Sequence, residues 1–351
     1  HLDYRPMAAG LADTVRMLAG VIAAVEIAAQ PDVVDLARWS GATRYETAAS
    51  VSREAYPEGS RALVLASGET WPDALAAAPL AGALDAPVLL TSSAVLTPET
   101  RAEIERLGAT DAYVIGGTGA VSQDVETALV SIGGMRVTRL GGATRYETAL
   151  AVARKVREIE PASSSEVLLC TGAEFADALS ASQLAARDRA PIILVRPGRD
   201  PLSTVAAVRS AGGSRALIVG GPGAVSQAVE AAATGALGAA NVARRGGATR
   251  YETAERLFEL AEERAGAPLE RVVLARGDLF PDALSAGAAV ARLGAGLALS
   301  TPERMHAAPR SMLAARRERI DDVILVGGYG ALSPWVEFDV QRACDPSPNV
   351  A

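Results

Sequence analysis

The sequence predicts an α/β protein built from three tandem modules, each with a parallel sheet covered by helices. Three observations lead to this fold class. An octapeptide recurs three times at intervals of about 100 residues, a period that matches a small domain rather than a solenoid repeat. Two further motifs recur with it in the same order. Unbroken apolar runs alternate with helical segments, which is typical of strands buried on both faces.

The octapeptide Gly-Ala-Thr-Arg-Tyr-Glu-Thr-Ala occupies residues 41–48, 142–149 and 247–254. Its threonine precedes a glutamate by three residues, which is the spacing of a helix capping box. The three pairs are Thr43 with Glu46, Thr144 with Glu147, and Thr249 with Glu252. Each octapeptide is therefore predicted to begin a helix.

The other two motifs each follow an apolar run. The first has the form Gly-x-x-aromatic-x-Asp-Ala-Leu and occupies 68–75, 172–179 and 277–284. The second is a Gly-Gly-x-Gly loop that ends in serine, at 116–122, 220–226 and 327–333. Because both motifs follow strands, they are expected to gather at the carboxyl edges of the sheets, where such folds place ligands.

The second repeat shows the expected order of elements most clearly. In chain order it contains a strand at 137–140, a helix through 149–154, a strand at 166–170, a helix from Asp177, a strand at 191–195, a helix at 202–211, a strand at 216–219 and a helix from Gln227. This alternation predicts a parallel sheet with right-handed crossovers.

The repeats set the domain boundaries. They divide the chain into an N-terminal helical segment, 1–32, with a helix over 8–30, and three modules at 33–140, 141–245 and 246–351. After the last Gly-Gly loop the chain offers one more helix, 334–343, and no strand. The strand-like run 33–37 is expected to fill that vacancy and to close the three modules into a ring.

Composition excludes several classes of protein. The chain has 351 residues, 49% of them hydrophobic, and a net charge of −7, which argues against a general nucleic-acid binder and a polybasic membrane contact. No apolar run reaches the length of a membrane span, about 18 residues. Cys170 and Cys344 form neither a disulfide framework nor a metal set. Cys170 is expected to be a buried thiol, with a disulfide between the two as the alternative.

Nothing repeated in the sequence supplies a catalytic base or nucleophile, because histidine and cysteine are absent from all three motifs. The sequence thus predicts no enzyme, no cofactor and no metal. The candidate ligand-binding residues are instead the repeated arginine, tyrosine and aspartate. They are Arg44, Tyr45, Asp73, Arg145, Tyr146, Asp177, Arg250, Tyr251 and Asp282.

Each candidate has two interpretations. The arginines could grip anionic groups, since the guanidinium fork matches phosphate and carboxylate. Alternatively they pair with the repeated aspartates or reach a neighbouring module, and the tyrosines pack. The packing interpretation is favoured, because capping already explains the threonine and glutamate. Likewise Trp71, Phe175 and Phe280 could stack on a sugar but more often such residues anchor a core. The Gly-Gly loop is interpreted as a tight turn rather than as a phosphate-binding loop.

Together the motifs resemble the cell wall-binding repeat 2 family. They read as R-Y-x-T-A, G-x-x-[FW]-x-D-A-L, a P-I-L-L-type strand and G-G-x-x-A-[VL]-S, over 41–335. The P-I-L-L position reads Pro-Val-Leu-Leu at 87–90 and Pro-Ile-Ile-Leu at 191–194, but Gly-Leu-Ala-Leu at 296–299. That departure leaves open whether the third repeat binds ligand as the others do.

The resemblance implies Rossmann-like modules around a pseudo-threefold axis. It also implies a protein secreted by Gram-positive bacteria that anchors non-covalently at the cell surface by binding an anionic wall polymer, of teichoic type or a secondary polysaccharide. We expect the modules to pack within one chain as a monomer, with no nucleic-acid partner and no membrane span. Two alternatives remain: a secreted wall hydrolase using aspartate and glutamate at the sheet edges, or a structural protein of a surface lattice.

Overall fold

The computed structural model describes residues 34–161 and 165–345, which form twelve strands and twelve α-helices. The N-terminal segment 1–32, with the helix predicted over 8–30, lies outside the described residues. The elements of the first repeat are β1 (Asp35–Trp39), α1 (Arg44–Ala55), β2 (Ala62–Ser67), α2 (Ala77–Leu84), β3 (Val88–Thr91), α3 (Pro98–Leu107), β4 (Asp111–Ile115), α4 (Gln123–Val130) and β5 (Arg136–Leu140).

The second and third repeats follow the same order. The second contains α5 (Arg145–Ile159), β6 (Glu166–Thr171), α6 (Ala176–Asp188), β7 (Ile192–Val195), α7 (Pro201–Ser210), β8 (Arg215–Val219), α8 (Gln227–Leu237) and β9 (Val242–Arg245). The third contains α9 (Arg250–Ala265), β10 (Arg271–Arg276), α10 (Pro281–Leu293), β11 (Gly296–Ser300), α11 (Ala307–Arg316), β12 (Asp322–Val326) and α12 (Pro334–Cys344).

Three four-stranded parallel sheets result, one in each module. Their strand orders are β3-β2-β4-β5, β7-β6-β8-β9 and β11-β10-β12-β1. The direction of strand succession reverses between β2 and β4, and at the equivalent place in the other two sheets. In open α/β sheets this reversal opens a crevice outside the carboxyl ends of the strands, where ligands bind. Both strand-following motifs lie at these crevices.

The ring closure expected from the sequence is confirmed. β1 pairs in parallel with β12, with Asp35 opposite Asp322 and Trp39 opposite Val326. The strand begins and ends two residues later than the predicted 33–37. The third sheet is therefore completed by a strand from the beginning of the described chain, so the first and third modules are joined without a covalent link.

The chain passes from one module to the next at each octapeptide. β5 is the last strand of the first sheet, whereas the helix that follows it, α5, packs on β7 of the second. At the centre of the molecule α2, α6 and α10 pack on one another around the pseudo-threefold axis. Alanine-rich sequences allow this close approach, and most residues of these helices are buried.

The repeated aromatic residues meet near this axis. The Trp71 and Phe175 ring centroids lie 5.9 Å apart and those of Phe175 and Phe280 6.5 Å apart, both edge to face. Edge-to-face pairs of this kind contribute about 0.5–1.5 kcal/mol beyond their burial. The core-anchoring interpretation of these residues is confirmed. Cys170 and Cys344 are both buried and free, so the alternative disulfide is not formed.

The capping prediction is only partly correct. The threonine side chain accepts a hydrogen bond from the glutamate N–H in all three repeats. The return bond to the cap residue forms only at Thr144, whose N–H donates to Glu147. In the other two repeats the glutamate reaches one residue further back and accepts from the N–H of Ala42 or Ala248. A full capping box is therefore restricted to the second repeat.

Candidate ligand-binding grooves at the module junctions

The carboxyl edge of one module meets the octapeptide of the next at three junctions. We name these junctions by their two modules: groove 1–2, groove 2–3 and groove 3–1. Groove 1–2 has a volume of about 870 Å³ and is lined from the first module by Asp73 and the Gly-Gly loop, and from the second by 142–146, Gly172 and Arg196. Groove 3–1, lined by Asp282, Arg276 and Arg44 among others, is smaller, about 260 Å³. Residues of all three repeated motifs thus line the cavities at these two junctions.

The octapeptide arginines are fixed by a carbonyl group and an aromatic ring. Each donates from Nη1 to the first glycine of the aspartate motif: Arg44 to Gly68 at 2.5 Å, Arg145 to Gly172 at 2.7 Å and Arg250 to Gly277 at 2.8 Å. The guanidinium carbon of Arg145 lies 4.7 Å from the centroid of the Trp71 ring, and that of Arg250 5.5 Å from Phe175. These rings belong to the preceding module, so both arginines face an adjacent module as predicted.

The expectation that these arginines are buried against carboxylates is wrong. Arg44 is exposed and the other two are half-buried. Among residues 34–161 and 165–345, no carboxylate lies within ion-pairing distance of any of the three. The reason is that the repeated aspartate is directed elsewhere, beneath the Gly-Gly loop. Since one guanidinium offers five N–H donors, most remain for a groove occupant.

The repeated aspartate fills the space under the first glycine of the Gly-Gly loop. A Cβ at Gly220 would lie 2.3 Å from the nearest carboxylate oxygen of Asp177. The equivalent distances are 2.9 Å for Gly116 with Asp73 and 2.6 Å for Gly327 with Asp282. These glycines also have φ values of 97° to 115°, which side chains rarely tolerate. The loop is thus a tight turn closed over a carboxylate.

Burial raises the pKa of two of the repeated aspartates. It raises the pKa of Asp177, an effect opposed by a hydrogen bond from Thr253 and the positive charge of Arg250. Burial also raises the pKa of Asp282 to about 6, against the charges of Arg276 and Arg44. Thr253, Arg250 and Arg44 belong to the following octapeptides. Asp177 and Asp282 are therefore electrostatically coupled across their junctions.

The tyrosines pack against glycine. A Cβ at Gly68, Gly172 or Gly277 would lie 2.5–2.7 Å from the ring of Tyr45, Tyr146 or Tyr251. Their outer contacts differ between the repeats. Tyr45 donates to Glu69 at 3.4 Å, Tyr146 lies under Arg196 with the guanidinium carbon 4.3 Å from its centroid, and Tyr251 stacks on His306 at 4.2 Å. The tyrosine–glycine packing is thus the same in all three repeats, whereas the polar and charged groups around the tyrosine differ.

A second repeated arginine was missed by the sequence reasoning. Arg38, Arg139 and Arg244 each donate to the carbonyl of the first loop glycine, at 2.6–2.8 Å. Each also pairs with a glutamate on the helix after the loop: Glu337, Glu126 and Glu230, at 2.7–2.8 Å. The signal was present, because in every repeat this arginine stands three residues before the octapeptide. Arg196 was also missed; it has no counterpart in the other repeats.

The chain thus combines three parallel-sheet α/β modules with cavities at the junctions between them. The model of cell wall binding domain 2 (CWB2) matches residues 38–126, 139–230 and 244–337. The chain belongs to this family, and the matches coincide with the three repeats.

Solved structures and a curated relative agree with this assignment. Cwp6 from Clostridium difficile has a TM-score of 0.77 at 27% identity, over 88% of this chain and 48% of that one. Cwp8 from the same organism has a TM-score of 0.76 at 26% identity, over 94% and 55%. The chain is 27% identical over 299 residues to N-acetylmuramoyl-L-alanine amidase LytC of Bacillus subtilis (strain 168). It spans 56% of that amidase. No helix in the described parts is long and apolar enough to cross a bilayer.

Proposed function

We propose that this chain holds its protein on a Gram-positive cell wall by non-covalent binding of an anionic wall polymer in the junction grooves. Membership of the cell wall binding domain 2 family makes it a wall-binding protein. One observation carries the finer assignment: Arg145, Tyr146 and Asp73 converge on groove 1–2, an open cleft of about 870 Å³.

The chemistry of the groove favours an anion. One hydrogen bond, to the Gly172 carbonyl, and one ring contact, with Trp71, fix the position of Arg145, which leaves guanidinium donors for phosphate or carboxylate oxygens. The net charge of −7 does not oppose this, because local placement of charge governs binding at distances below the Debye length, about 8 Å at physiological salt. A teichoic-type polymer supplies phosphodiester groups, and a secondary polysaccharide supplies phosphate or carboxylate groups.

The proposed role is anchoring at the cell surface by a monomeric, non-catalytic protein. The close fit of each repeated aspartate beneath the first glycine of the Gly-Gly loop favours a structural role for these carboxylates over a catalytic one. The relationship to an amidase, of which this chain spans little more than half, makes wall hydrolysis the alternative. Zymography on purified walls separates the two: a cleared band that Asp73→Ala abolishes would establish the hydrolase.

A sedimentation assay on purified Gram-positive walls tests the anchoring proposal. One half of the walls is treated to remove teichoic-type and other anionic polymers, and the peptidoglycan is left intact. We expect the protein to sediment with untreated walls and to stay in solution with stripped walls. Equal retention on both preparations would show that the polymer is not the ligand.

A further inference from the structure

We propose that the three grooves are not equivalent and that groove 1–2 is the anion-binding site of this chain, with Arg196 as its specificity-determining residue. This inference rests on the proposed function. The three repeats share one backbone framework, so the residues at equivalent positions can be compared between them. Three such positions line the grooves.

The first position is occupied by Arg196 in the second repeat and by Ser92 and Thr301 in the others. Arg196 follows β7 directly and lines groove 1–2 together with Arg145. Its guanidinium carbon lies 4.3 Å from the centroid of the Tyr146 ring, a cation–π contact that holds it in place. Within the described part of the chain no ion pair engages it. Groove 1–2 therefore carries two guanidiniums without a carboxylate partner.

The second position carries a negative charge in the other two repeats. It is Ala173 in groove 1–2, whereas the equivalents are Glu69 and Asp278. Hydrogen bonds from the Ser93 N–H and from neighbouring hydroxyls lower the pKa of Glu69. The bidentate contact with Arg276, at 2.7 and 2.6 Å, lowers the pKa of Asp278. Glu69 thus stays ionised at neutral pH and repels an anion, and Asp278 occupies the guanidinium of Arg276, which is then not free to bind one.

The third position follows the same trend. Thr70 lines groove 1–2, and its equivalents are Glu174 and Leu279. Leu279 lines groove 3–1 and is 46% exposed. A hydroxyl group can donate to an oxyanion, but a carboxylate or an isobutyl group cannot. All three positions therefore differ in the direction that favours an anion in groove 1–2 and disfavours it in the other two.

The ligand class that fits is a polymer with closely spaced oxyanions, phosphodiester or carboxylate. Two guanidiniums can bind it through charge-assisted hydrogen bonds, with the hydroxyls of Thr70 and Thr118 on the wall from the first module and that of Thr144 on the wall from the second. In the other grooves an approaching anion meets Glu69 or Asp278. One site rather than three then provides the affinity.

Two variants and a matched control test the assignment. Arg196→Ser installs the residue type of the first repeat, and Ala173→Asp installs the carboxylate of the third. Arg209→Ser removes the same charge from an exposed position at the end of α7. Kd is measured by calorimetry with a glycerol-phosphate oligomer and with an oligogalacturonate, and thermal melts confirm folding. We expect Arg196→Ser and Ala173→Asp each to raise the Kd for the bound oligomer, glycerol-phosphate or galacturonate, by about tenfold or more. Arg209→Ser should leave the Kd unchanged.

A gain of function is expected in groove 3–1. The double variant Glu69→Ala/Ser92→Arg gives that groove the groove 1–2 residues at the first and second positions, and it should increase the binding stoichiometry with the oligomer. If the wild type sediments with walls and Arg196→Ser and Ala173→Asp bind walls and oligomer as it does, the inference is overturned while the proposed function stands. If the wild type binds the oligomer but not walls, and these substitutions weaken oligomer binding, the proposed function fails and the anion site stands.

Discussion

The guanidinium carbon of Arg145 lies 4.7 Å from the centroid of the Trp71 ring, across the junction between the first and second modules. The same arginine donates to the carbonyl of Gly172 in its own module. One side chain therefore connects two modules, and it lines the groove proposed to bind the wall polymer. Its contribution to stability and its contribution to binding can be separated by experiment.

Arg145→Ala should lower the free energy of unfolding by about 1–2 kcal/mol, because it removes one hydrogen bond and one cation–π contact. A buried ion pair would instead cost about 3–5 kcal/mol when broken. Urea unfolding gives the value, with Arg209→Ala as a control for loss of charge. Wall retention of Arg145→Ala should fall at temperatures where the variant is still folded. Full wall retention by the folded variant would show that Arg145 does not contribute to binding.

Gly220→Ala should destabilise the protein by about 1–3 kcal/mol, since it places a side chain at a positive φ. The added Cβ would also lie 2.3 Å from Asp177. Gly223→Ala in the same loop is the control, because a Cβ there meets nothing within 4 Å. Thermal melts of the pair measure the difference. Equal melting temperatures would mean that the loop does not close over the aspartate.

Asp282 should make stability depend on pH. Burial raises its folded-state pKa to about 6 from a usual value of 3.8, so the folded state binds the proton more tightly than the unfolded chain. The stability this provides is complete below about pH 4 and is lost as the pH rises through 6, on the order of 2–3 kcal/mol. Asp282→Asn lacks the charge at any pH.

The variant's free energy of unfolding relative to the wild type should therefore rise between about pH 4 and about pH 7, since only the wild type ionises over that range. Denaturant titrations at a series of pH values measure it, and Asp124→Asn, an exposed carboxylate in α4, serves as the control. A difference that does not change with pH would contradict the raised pKa.

Arg38 should be coupled energetically to Glu337. The pair joins β1 to α12 at 2.7 Å, and Arg38 also donates to Gly327, so it fastens the strand that closes the ring. A double-mutant cycle with Arg38→Ala and Glu337→Ala should give a coupling energy of about 1–2 kcal/mol. The equivalent pair Arg139 and Glu126 should give a similar value. If the effects of Arg38→Ala and Glu337→Ala on stability are additive while those at Arg139 and Glu126 are not, ring closure relies on other contacts.

The sequence predicted most of the fold because the relevant signals are local or repeated. Apolar runs and capping residues lie within the elements that they define, so the strands and helices of the second repeat were placed within a few residues. The partner of β1 followed from a missing strand after the last Gly-Gly loop. Periodicity could not show that Arg145 meets Trp71, because that contact depends on how two separate modules pack.

The site was predicted less completely than the fold. Comparing repeats identifies residues that recur, so it found Arg145 and Asp73 but could not decide whether they pair. The structure places Asp73 beneath Gly116 instead, a position set by the strand reversal in the sheet. Arg196 was missed for the opposite reason, since a residue present in one repeat gives no repeat signal. Its relevance depends on its contact with Tyr146.

Hydrogen–deuterium exchange with and without purified wall polymer tests the central claim most directly, because it reports where the polymer binds without any substitution. The account predicts slower exchange in peptides that contain 116–121 and 142–146, the two walls of groove 1–2, with no change at 131–135 on the opposite edge of the first sheet. Protection confined to that opposite edge, or protection absent from both walls at saturating polymer, would contradict the account.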